Sequence, residues 1–308
     1  MGTSKKKRKT LEQILKKPVN FNQIKTQTGL TRKQAKLKIS EMKVNGAPLN
    51  SYVDEKDYQI YFYLDNNPKP IVEAIDLGLN DGNYLFLAKS DTHMGDKAFD
   101  LAKLNKVYDI AEDRGVTYIT DSGDLSTGTT VYRGQHADLQ YHTLDDQIDF
   151  IIEQHPNLEG IPMYVCGGNH DYDGLKNYGV NPLKIIDNRR DDINFIGWTD
   201  AKLNIGNGVI TELVHYKGSM AWSLGYRGQK FLRDCQPYNM PDILLLGHKH
   251  VTMYAHIQGV HTFECGTFQG QNNFTKERGL PGEIAAWIIE YTIDNGKLLS
   301  IKPELIIP

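Results

Sequence analysis

Residues 161–171 are the part of this 308-residue chain that most restricts how it can fold. The apolar run at 161–165 has the composition of a strand buried in a parallel α/β sheet. Two glycines follow, which let the backbone turn sharply, and Asn169, His170 and Asp171 come directly after them. Because ligands of open α/β sheets gather at the carboxyl ends of strands, this stretch predicts a polar site at such an edge.

The residues after 83 alternate strand-like apolar runs with amphipathic segments of helical length. The runs at 84–89, 116–120 and 161–165 are separated by segments whose apolar residues recur at helical spacing. This alternation predicts βαβ units and an α/β fold. Later strand-like runs follow one another more closely, at 194–196, 210–214, 243–246, 261–265 and 285–291.

Five of the predicted strands end in side chains that commonly bind metal ions. Strands whose ends meet at one edge of a sheet would bring these side chains together. Mixed imidazole and carboxylate donors suit Mn, Fe or Zn better than Ca. The predicted ligands are Asp91, His93, Asp124, Asn169, His215, His248 and His250.

The same blocks resemble those of a known enzyme family. Asp-x-His, Gly-Asp, Gly-Asn-His-Asp, a single histidine and Gly-His-x-His follow one another between residues 91 and 250. This order is similar to that of the calcineurin-like metallophosphoesterases, and the resemblance spans residues 84 to about 266. It implies a four-layer αββα sandwich and an enzyme that hydrolyses ester bonds.

The resemblance also implies two divalent metal ions, with Mn²⁺ preferred and Fe, Zn or Mg as alternatives. Two such ions clamp the attacking and leaving oxygens and lower the pKa of water, so a metal-activated hydroxide would be the nucleophile. His170 would act as general acid, or donate to the transition state, and Asp171 would orient its ring. Asp91, His93 and His250 would hold one ion, Asn169, His215 and His248 the other, and Asp124 would bridge them.

Basic residues are concentrated at the N-terminus of the chain. Residues 1–45 contain thirteen Lys and Arg against two Glu, whereas the whole chain has a net charge of −3. A basic head on an acidic body suggests that the head binds a polyanion. The alternative is a solvated helix with a charged tail, and for Lys5 to Lys9 alone we prefer that interpretation.

Residues 1–66 are predicted to form three short helices and a hairpin. Thr10, Asn20 or Asn22, and Thr31 are candidate N-caps, and strand-like runs follow at 49–53 and 58–64. With its basic third helix, this order resembles a winged helix-turn-helix domain, in which that helix enters the DNA major groove. A winged helix that contacts protein is the alternative. The residues that the resemblance places on DNA are Arg32, Lys33, Gln34, Lys36 and Lys43.

Residues 67–83 are predicted to be a linker, and residues 84–308 to be the phosphoesterase domain. The chain has no apolar run of about eighteen residues, which argues against a membrane span. It lacks the pattern of a secretory signal, and its three cysteines have no paired spacing. We therefore expect a cytoplasmic protein with reduced thiols, in the host cytoplasm if a phage encodes it.

Several short motifs bear on the substrate. The sequence Ser-Asp-Thr-His-Met-Gly at 90–95 resembles the opening motif of the Mre11/SbcD-type repair nucleases. The residues after Asp124, and Asp171 in place of Glu, depart from the protein phosphatase pattern. A winged helix joined to a phosphoesterase also resembles nuclease-like proteins of phages. We therefore expect a metal-dependent DNA phosphodiesterase, either an exonuclease or an endonuclease.

The sequence is also compatible with other functions and with further partners. A phosphomonoesterase or cyclic-nucleotide phosphodiesterase regulated by the N-terminal domain is one alternative, and a non-enzymatic DNA-binding regulator is another. Besides DNA, the nuclease resemblance implies a homodimer and an SbcC/Rad50-like ATPase partner. Tyr132 and Arg133 form a candidate substrate loop for a base and a phosphate, as do Tyr226 and Arg227, with ordinary surface loops as the alternative.

Overall fold

The computed structural model describes residues 8–45, 47, 49–53, 59–64, 74–215, 223–235 and 239–308. The chain divides into two compact units. The first comprises Met1–Ile71 and Asp234–Met240, and the second comprises Val72–Arg233 and Pro241–Pro308.

The first unit contains three helices and a small antiparallel sheet in its described part. Its elements are α1 (Leu11–Ile14), β1 (Val19–Asn20), α2 (Phe21–Thr28), α3 (Arg32–Val44), β2 (Leu49–Val53) and β3 (Ile60–Leu64). Strand β3 lies between β1 and β2 and is antiparallel to both. The side chains of Leu15, Ile24, Ala35, Ile39 and Phe62 are among those that form its core.

Three capping boxes decide where these helices begin. Thr10, Asn20 and Thr31 each accept a hydrogen bond from the backbone N–H three residues later, and a Gln at that position accepts one in return. Each box satisfies two backbone donors that the first turn would otherwise leave unpaired. The helices therefore start at predicted caps, while the assignment to the winged-helix family stays a prediction.

The elements after residue 73 alternate between strands and helices. The strands are β4 (Ala74–Asp76), β5 (Gly82–Lys89), β6 (Tyr118–Asp121), β7 (Met163–Gly167), β8 (Ile193–Trp198), β9 (Asp200–Asn204), β10 (Ile210–Val214), β11 (Ile243–Leu246), β12 (Thr252–Ile257), β13 (Val260–Cys265), β14 (Ala286–Asp294) and β15 (Lys297–Ile306). The helices are α4 (Leu101–Arg114), α5 (Leu144–Gln154), α6 (Asp171–Tyr178), α7 (Pro182–Arg189), α8 (Tyr226–Asp234) and α9 (Asn273–Glu277).

The strands of the second unit form two six-stranded sheets. The first sheet has the order β15-β14-β5-β6-β7-β8, and β5 to β8 run parallel to one another. The second has the order β12-β13-β11-β10-β9-β4, with β10, β11 and β13 parallel. In both sheets the central parallel strands bring their carboxyl ends to one edge.

Two hydrophobic cores hold the layers of this unit together. Successive side chains of a strand point to opposite faces, so Phe86 of β5 packs with Leu245 and Phe263 of the second sheet. The neighbouring side chain of Leu87 packs on the other face with Leu104 of α4. The first sheet is thus covered by helices on one side and by the second sheet on the other.

The predicted α/β fold with two sheets is confirmed, and most of the predicted strands are present. In the described part of the chain, one helix, α8, lies on the outer face of the second sheet. It packs closely against β13, because a Cβ at Gly228 would lie 2.8 Å from Cγ2 of Thr262. The full four-layer sandwich therefore stays a prediction. Among the residues described, no helix combines the length and apolar character needed to cross a bilayer.

Residues 74–76 differ from the prediction of a linker over 67–83. They form β4, which pairs in parallel with β9, with Ala74 opposite Lys202. A strand of three residues is too short to show periodicity in a sequence, and its stability comes from the neighbouring strand. Residues 67–73, the first part of the predicted linker, lie outside the described residues.

Candidate metal centre

The seven residues predicted as metal ligands lie just after the carboxyl ends of five strands. Three of these strands, β5, β6 and β7, belong to the first sheet, and β10 and β11 belong to the second. The two sheets therefore contribute to one site. We call this set the donor cluster, and its members are Asp91, His93, Asp124, Asn169, His215, His248 and His250.

The backbone of the donor cluster is unusual. Asp91, His93, Asp124, His248 and His250 have φ angles of 52°, 50°, 57°, 82° and 56°, which lie in the left-handed region. Residues other than Gly rarely adopt this conformation, and it persists where the surrounding structure enforces it. The close packing of the loops is part of that enforcement, because a Cβ at Gly168 would lie 2.1 Å from Oδ1 of Asp124.

Asp91, His93 and His250 form the first group of donors. Oδ1 of Asp91 lies 3.2 Å from Nε2 of His250, and Nε2 of His93 lies 3.0 Å from the same nitrogen. The other carboxylate oxygen of Asp91 accepts hydrogen bonds from the backbone N–H of His248 and the hydroxyl of Ser90. These two bonds fix the carboxylate so that Oδ1 faces the imidazoles.

Asp124, His215 and His248 form a second group, whose ligand atoms lie within 4.8 Å of one another. Oδ2 of Asp124 is 3.0 Å from Nε2 of His215 and 3.9 Å from Nε2 of His93. Asp124 therefore lies between the two groups. Asn169 lines the same cavity as Asp124 and His248.

Several buried donor atoms of the cluster have no hydrogen-bond partner in the described part of the chain. They include Oδ1 of Asp91, Oδ1 of Asn169 and Nε2 of His215. The Nδ1 atom of His215 lies 2.7 Å from the carbonyl oxygen of Ser122, and a carbonyl can only accept, so Nδ1 carries the hydrogen. Buried polar atoms are costly without a partner, and a divalent cation would satisfy them. The residues therefore fit a metal site.

The electrostatics of the first group favour metal binding. Burial alone would raise the pKa of Asp91, but the imidazoles of His250 and His93 hold it well below its usual range. Burial, together with the charge of His170, lowers the pKa of His93 to about 4. At neutral pH the carboxylate is charged and the His93 ring is neutral, which are the forms that bind cations.

The second group contains one strongly basic imidazole. Burial acts to lower the pKa of His215, but the Asp124 carboxylate outweighs it and raises this pKa to about 10. Burial and the charge of His215 lower the pKa of His248 to about 3. Binding of a cation at this position would displace the proton on Nε2 of His215, because an imidazole must be neutral to bind a metal.

His170 lies beside the donor cluster and lines the same cavity. Its Nδ1 atom lies 2.6 Å from the carbonyl oxygen of Thr127, so Nδ1 carries a hydrogen and donates. Its backbone N–H donates to Oδ1 of Asp124 at 2.7 Å. These contacts leave Nε2 as the ring nitrogen available to a bound molecule.

The prediction that Asp171 orients the His170 ring is wrong, because the Thr127 carbonyl has that position. The Asp171 carboxylate accepts hydrogen bonds from the backbone N–H and hydroxyl of Ser126, both at 2.8 Å, and from the N–H of Gly168 at 3.0 Å. Asp171 is the first residue of α6, and its side chain is directed to the loop after β6. Burial and the charge of Asp124 raise its pKa to about 6.

The cavity at the donor cluster has a volume of about 590 Å³. Tyr132, one of the predicted substrate residues, lines it, whereas Arg133, Tyr226 and Arg227 are not among its lining residues. The lining residues that the prediction missed include Lys249, Phe274 and Arg278. Lys249 lies within the Gly-His-Lys-His block and could have been found there, but Phe274 and Arg278 follow β13 without a recognisable motif.

The residues predicted to contact DNA all lie on α3 of the first unit and are exposed. Two of them have additional contacts. The guanidinium carbon of Arg32 lies 5.1 Å from the centre of the Phe21 ring. The side-chain oxygen of Gln34 accepts hydrogen bonds from the backbone and hydroxyl of Thr31, so the capping box already uses it.

Comparison with known proteins gives the family and a distant relative. The family model of calcineurin-like phosphoesterases matches residues 84–264. The small subunit of DNA polymerase II from Methanocaldococcus jannaschii is 27% identical over 264 aligned residues, which cover 71% of this chain and 44% of that protein. The chain thus spans less than half the length of this relative.

Solved structures show weaker similarity. An archaeal phosphodiesterase is 14% identical, with a TM-score of 0.40, over 72% of this chain and 99% of its own. Vacuolar protein sorting protein 29 of Cryptosporidium parvum is 16% identical, with a TM-score of 0.38, over 74% of this chain and all of its own. These similarities add nothing to the family match. Since that match covers more than half of the chain, the protein belongs to the calcineurin-like phosphoesterases, a metal-dependent family that suggests a hydrolase of phosphoester bonds.

Proposed function

We propose that this protein is a metal-dependent DNA phosphodiesterase, an exonuclease or endonuclease with a dinuclear metal centre. The observation that carries the proposal is the donor cluster itself. Seven donors from five strand ends converge, several with buried atoms that lack a partner, and five of them line one cavity together with His170. The 27% identity to a DNA polymerase subunit supports DNA as the substrate class.

The proposed ligand assignment follows the two groups of donors. Asp91, His93 and His250 would hold one divalent ion, and Asn169, His215 and His248 would hold the other. Asp124 would contribute to both sites, which is consistent with its Oδ2 atom lying 3.0 Å from Nε2 of His215 and 3.9 Å from Nε2 of His93. Histidine-rich sites with carboxylates suit Mn, Fe or Zn, and we propose Mn²⁺.

The proposed chemistry is an in-line displacement at phosphorus. When bound, the two ions supply charge stabilisation to the phosphoryl group and lower the pKa of water toward neutrality. His170, held through Nδ1 by the Thr127 carbonyl, presents Nε2 and donates a proton to the leaving oxygen. Asp171 contributes indirectly, because its bonds to Ser126 and Gly168 hold the loops that carry Asp124 and Asn169.

The first unit is proposed to be a winged helix that binds or orients DNA. The support is the series of exposed basic side chains on α3, with Arg32, Lys33, Lys36 and Lys43 all on one thirteen-residue helix. Exposed cations of this kind bind phosphates by releasing counterions, which gives affinity without sequence preference. In this proposal the second unit performs the chemistry and α3 supplies affinity.

A substrate panel tests the proposal. Linear, nicked, hairpin and single-stranded DNA and RNA are incubated with Mn²⁺, Mg²⁺, Zn²⁺ or Co²⁺, beside p-nitrophenyl phosphate, its bis ester and a cyclic nucleotide. We expect Mn²⁺-stimulated cleavage of DNA that EDTA abolishes. Faster hydrolysis of the monoester or of the cyclic nucleotide would contradict it in favour of those enzymes. DNA binding without hydrolysis of any ester would favour a regulator.

A further inference from the structure

Three side chains form an ordered stack on one side of the cavity at the donor cluster. The ring centres of Tyr132 and Phe274 lie 4.2 Å apart with an interplanar angle of 27°. The guanidinium carbon of Arg278 lies 4.4 Å from the centre of the Phe274 ring. All three residues line the cavity, and we call them the stacking wall.

The stacking wall is held in place by polar contacts behind it. The Tyr132 hydroxyl donates to Asp138 at 3.0 Å and accepts from the Asn272 amide at 3.2 Å. Asn272 also donates to Asp96 at 3.0 Å and caps α9, the helix that carries Phe274. A recognition surface fixed in this way loses little conformational entropy when a ligand binds.

The wall lies close to the proposed chemistry. The ring centre of Tyr132 is 6.4 Å from that of His170, which in turn is 4.5 Å from that of His93. A substrate group bound this close to His170 would be the part of the molecule joined directly to the reacting phosphate. In a nucleic acid strand that part is the nucleoside joined to the phosphate.

The chemistry of the wall fits a nucleobase in particular. Aromatic rings and a guanidinium plane stack on any base, and such stacking is worth about 1–3 kcal/mol per base. Arg278 also offers a charge for a neighbouring phosphate, and Lys249 lines the cavity as a further cation. A small phosphoester without an aromatic group would leave this surface unused.

We propose that the stacking wall binds the base of the nucleoside attached to the reacting phosphate, and that this base is unpaired when it binds. A base inside a duplex is already stacked on its neighbours and has no free face for Tyr132 or Arg278, the outer members of the stack. The substrate class is therefore a nucleotide phosphodiester at a single-stranded segment or frayed end. This inference rests on the proposed function and adds the recognition element to it.

Two chromogenic esters with the same leaving group test the proposal. Thymidine 5′-(p-nitrophenyl phosphate) carries a base, and methyl p-nitrophenyl phosphate does not. With Mn²⁺, the ratio of their kcat/KM values should favour the nucleoside ester in the unaltered protein. Phe274→Leu should lower that ratio about tenfold, because Phe274 packs between Tyr132 and Arg278 and holds the two side chains on which the base stacks.

A second variant and a binding measurement keep the test independent of folding and of turnover. Arg278 is exposed, so Arg278→Gln should leave the fold intact and lower the ratio about threefold. Calorimetry with thymidine 5′-monophosphate and with 2-deoxyribose 5-phosphate should show the same loss of preference for the base. The matched control is Tyr254→Leu, which removes a partly exposed aromatic ring outside the cavity. It should change neither the kcat/KM ratio of the two esters nor the preference for the base in calorimetry.

The possible outcomes separate the inference from the proposed function. If the kcat/KM ratio of the two esters is the same in the unaltered protein, in Phe274→Leu and in Arg278→Gln, the stacking wall does not bind the base. This holds even if both esters are hydrolysed. If neither ester is hydrolysed with any metal ion, the proposed function fails, and the two calorimetric titrations alone decide whether the wall binds a base. If Phe274→Leu does not fold, Arg278→Gln decides.

Discussion

The donor cluster and helix α3 carry the two functional predictions, and they are built in opposite ways. Asp91 and Asp124 of the cluster are 0% and 1% exposed, whereas the basic side chains of α3 are in solvent. Five residues of the donor cluster have a left-handed backbone conformation, whereas α3 is a regular helix that begins with a capping box. Burying charged groups and straining the backbone cost free energy, and only a specific surrounding structure compensates for that cost. An exposed lysine on a helix costs almost nothing.

This difference separates chemistry from affinity. A buried cluster with unpartnered donor atoms selects a cation by geometry, so small changes in it should have large effects. Exposed charges act together through a screened field, so each should contribute little and salt should weaken them all. Four predictions test this contrast, in order of decreasing effect.

The largest effect is expected from Asp124→Asn. Asp124 lies between the two groups of donors, and an amide keeps its shape but removes its charge. We expect hydrolysis to fall below detection and calorimetry to show weakened Mn²⁺ binding, a loss greater than the roughly 10–100-fold caused by changing an outer partner of a ligand. Asp149→Asn, a matched change at an exposed surface ion pair with Arg189, should retain activity. Full activity of Asp124→Asn would remove this residue from the site.

His170→Ala should have the next largest effect. Loss of a positioned proton donor lowers turnover by about 10²–10³-fold, within the range of general acid catalysis, while metal binding should persist because His170 is not a proposed ligand. Steady-state kinetics and a metal titration on the same sample measure both. His142→Ala, at an exposed histidine, is the control. An unchanged kcat would exclude His170 from the chemistry.

A buried ion pair away from the cavity should make stability depend on pH. Glu212 and Lys202 lie opposite each other on β10 and β9, 3.6 Å apart and nearly inaccessible to solvent. Burial outweighs the attraction of Lys202 and raises the pKa of Glu212 to about 7. An acid with a raised pKa stabilises the folded state most below its unfolded pKa of 4.5, and this stabilisation is lost as pH rises toward 7.

The expected loss is about 3 kcal/mol in the free energy of unfolding between pH 4.5 and 7, and Glu212→Gln should remove it. Urea unfolding of both proteins across this pH range measures the difference between their free energies of unfolding. The exposed pair Glu290–Lys302, also on neighbouring strands, is the matched control, and Glu290→Gln should leave the pH profile unchanged. A pH-independent difference for Glu212→Gln would contradict the prediction.

The smallest effect is expected on α3. Replacing Lys33 and Lys36 by Gln should lower DNA affinity and reduce the slope of log K against log salt by about 2, because each lysine that binds a phosphate adds about one unit to that slope. Fluorescence anisotropy at several salt concentrations measures this slope. Replacing Lys16 and Lys17, exposed lysines of the same unit outside α3, is the control. Equal slopes for both double variants would mean that α3 has no special role.

The donors could be predicted because the signals for them are local. A strand followed by Asp-x-His or Gly-His-x-His places its donors at the strand end whatever the rest of the chain does, and the carboxyl ends of parallel strands share one edge. The capping residues Thr10, Asn20 and Thr31 could be predicted for the same reason. A side chain that bonds three residues ahead depends on local sequence alone.

The features that were missed depend on residues far apart in the chain. Asp171 bonds to Ser126, 45 residues earlier, and the Thr127 carbonyl holds the His170 ring from a distance of 43 residues. Residues 74–76 form β4 because β9 offers an edge to pair with. Tyr132 and Phe274 stack although they are 142 residues apart in the chain. No local pattern predicts such contacts, because the partner's position is set by the packing of both sheets.

The sequence by itself determined the family, the two-sheet α/β class and the set of side chains that surround the proposed metals, because strand-end motifs and capping boxes act within a few residues. The tertiary structure alone decided which atoms face one another. Only the folded chain places Asp124 between two groups of donors, joins donors from two sheets, and builds a stacking wall from Tyr132, Phe274 and Arg278. Distances of about 3 to 6 Å between such residues result from the packing of both sheets.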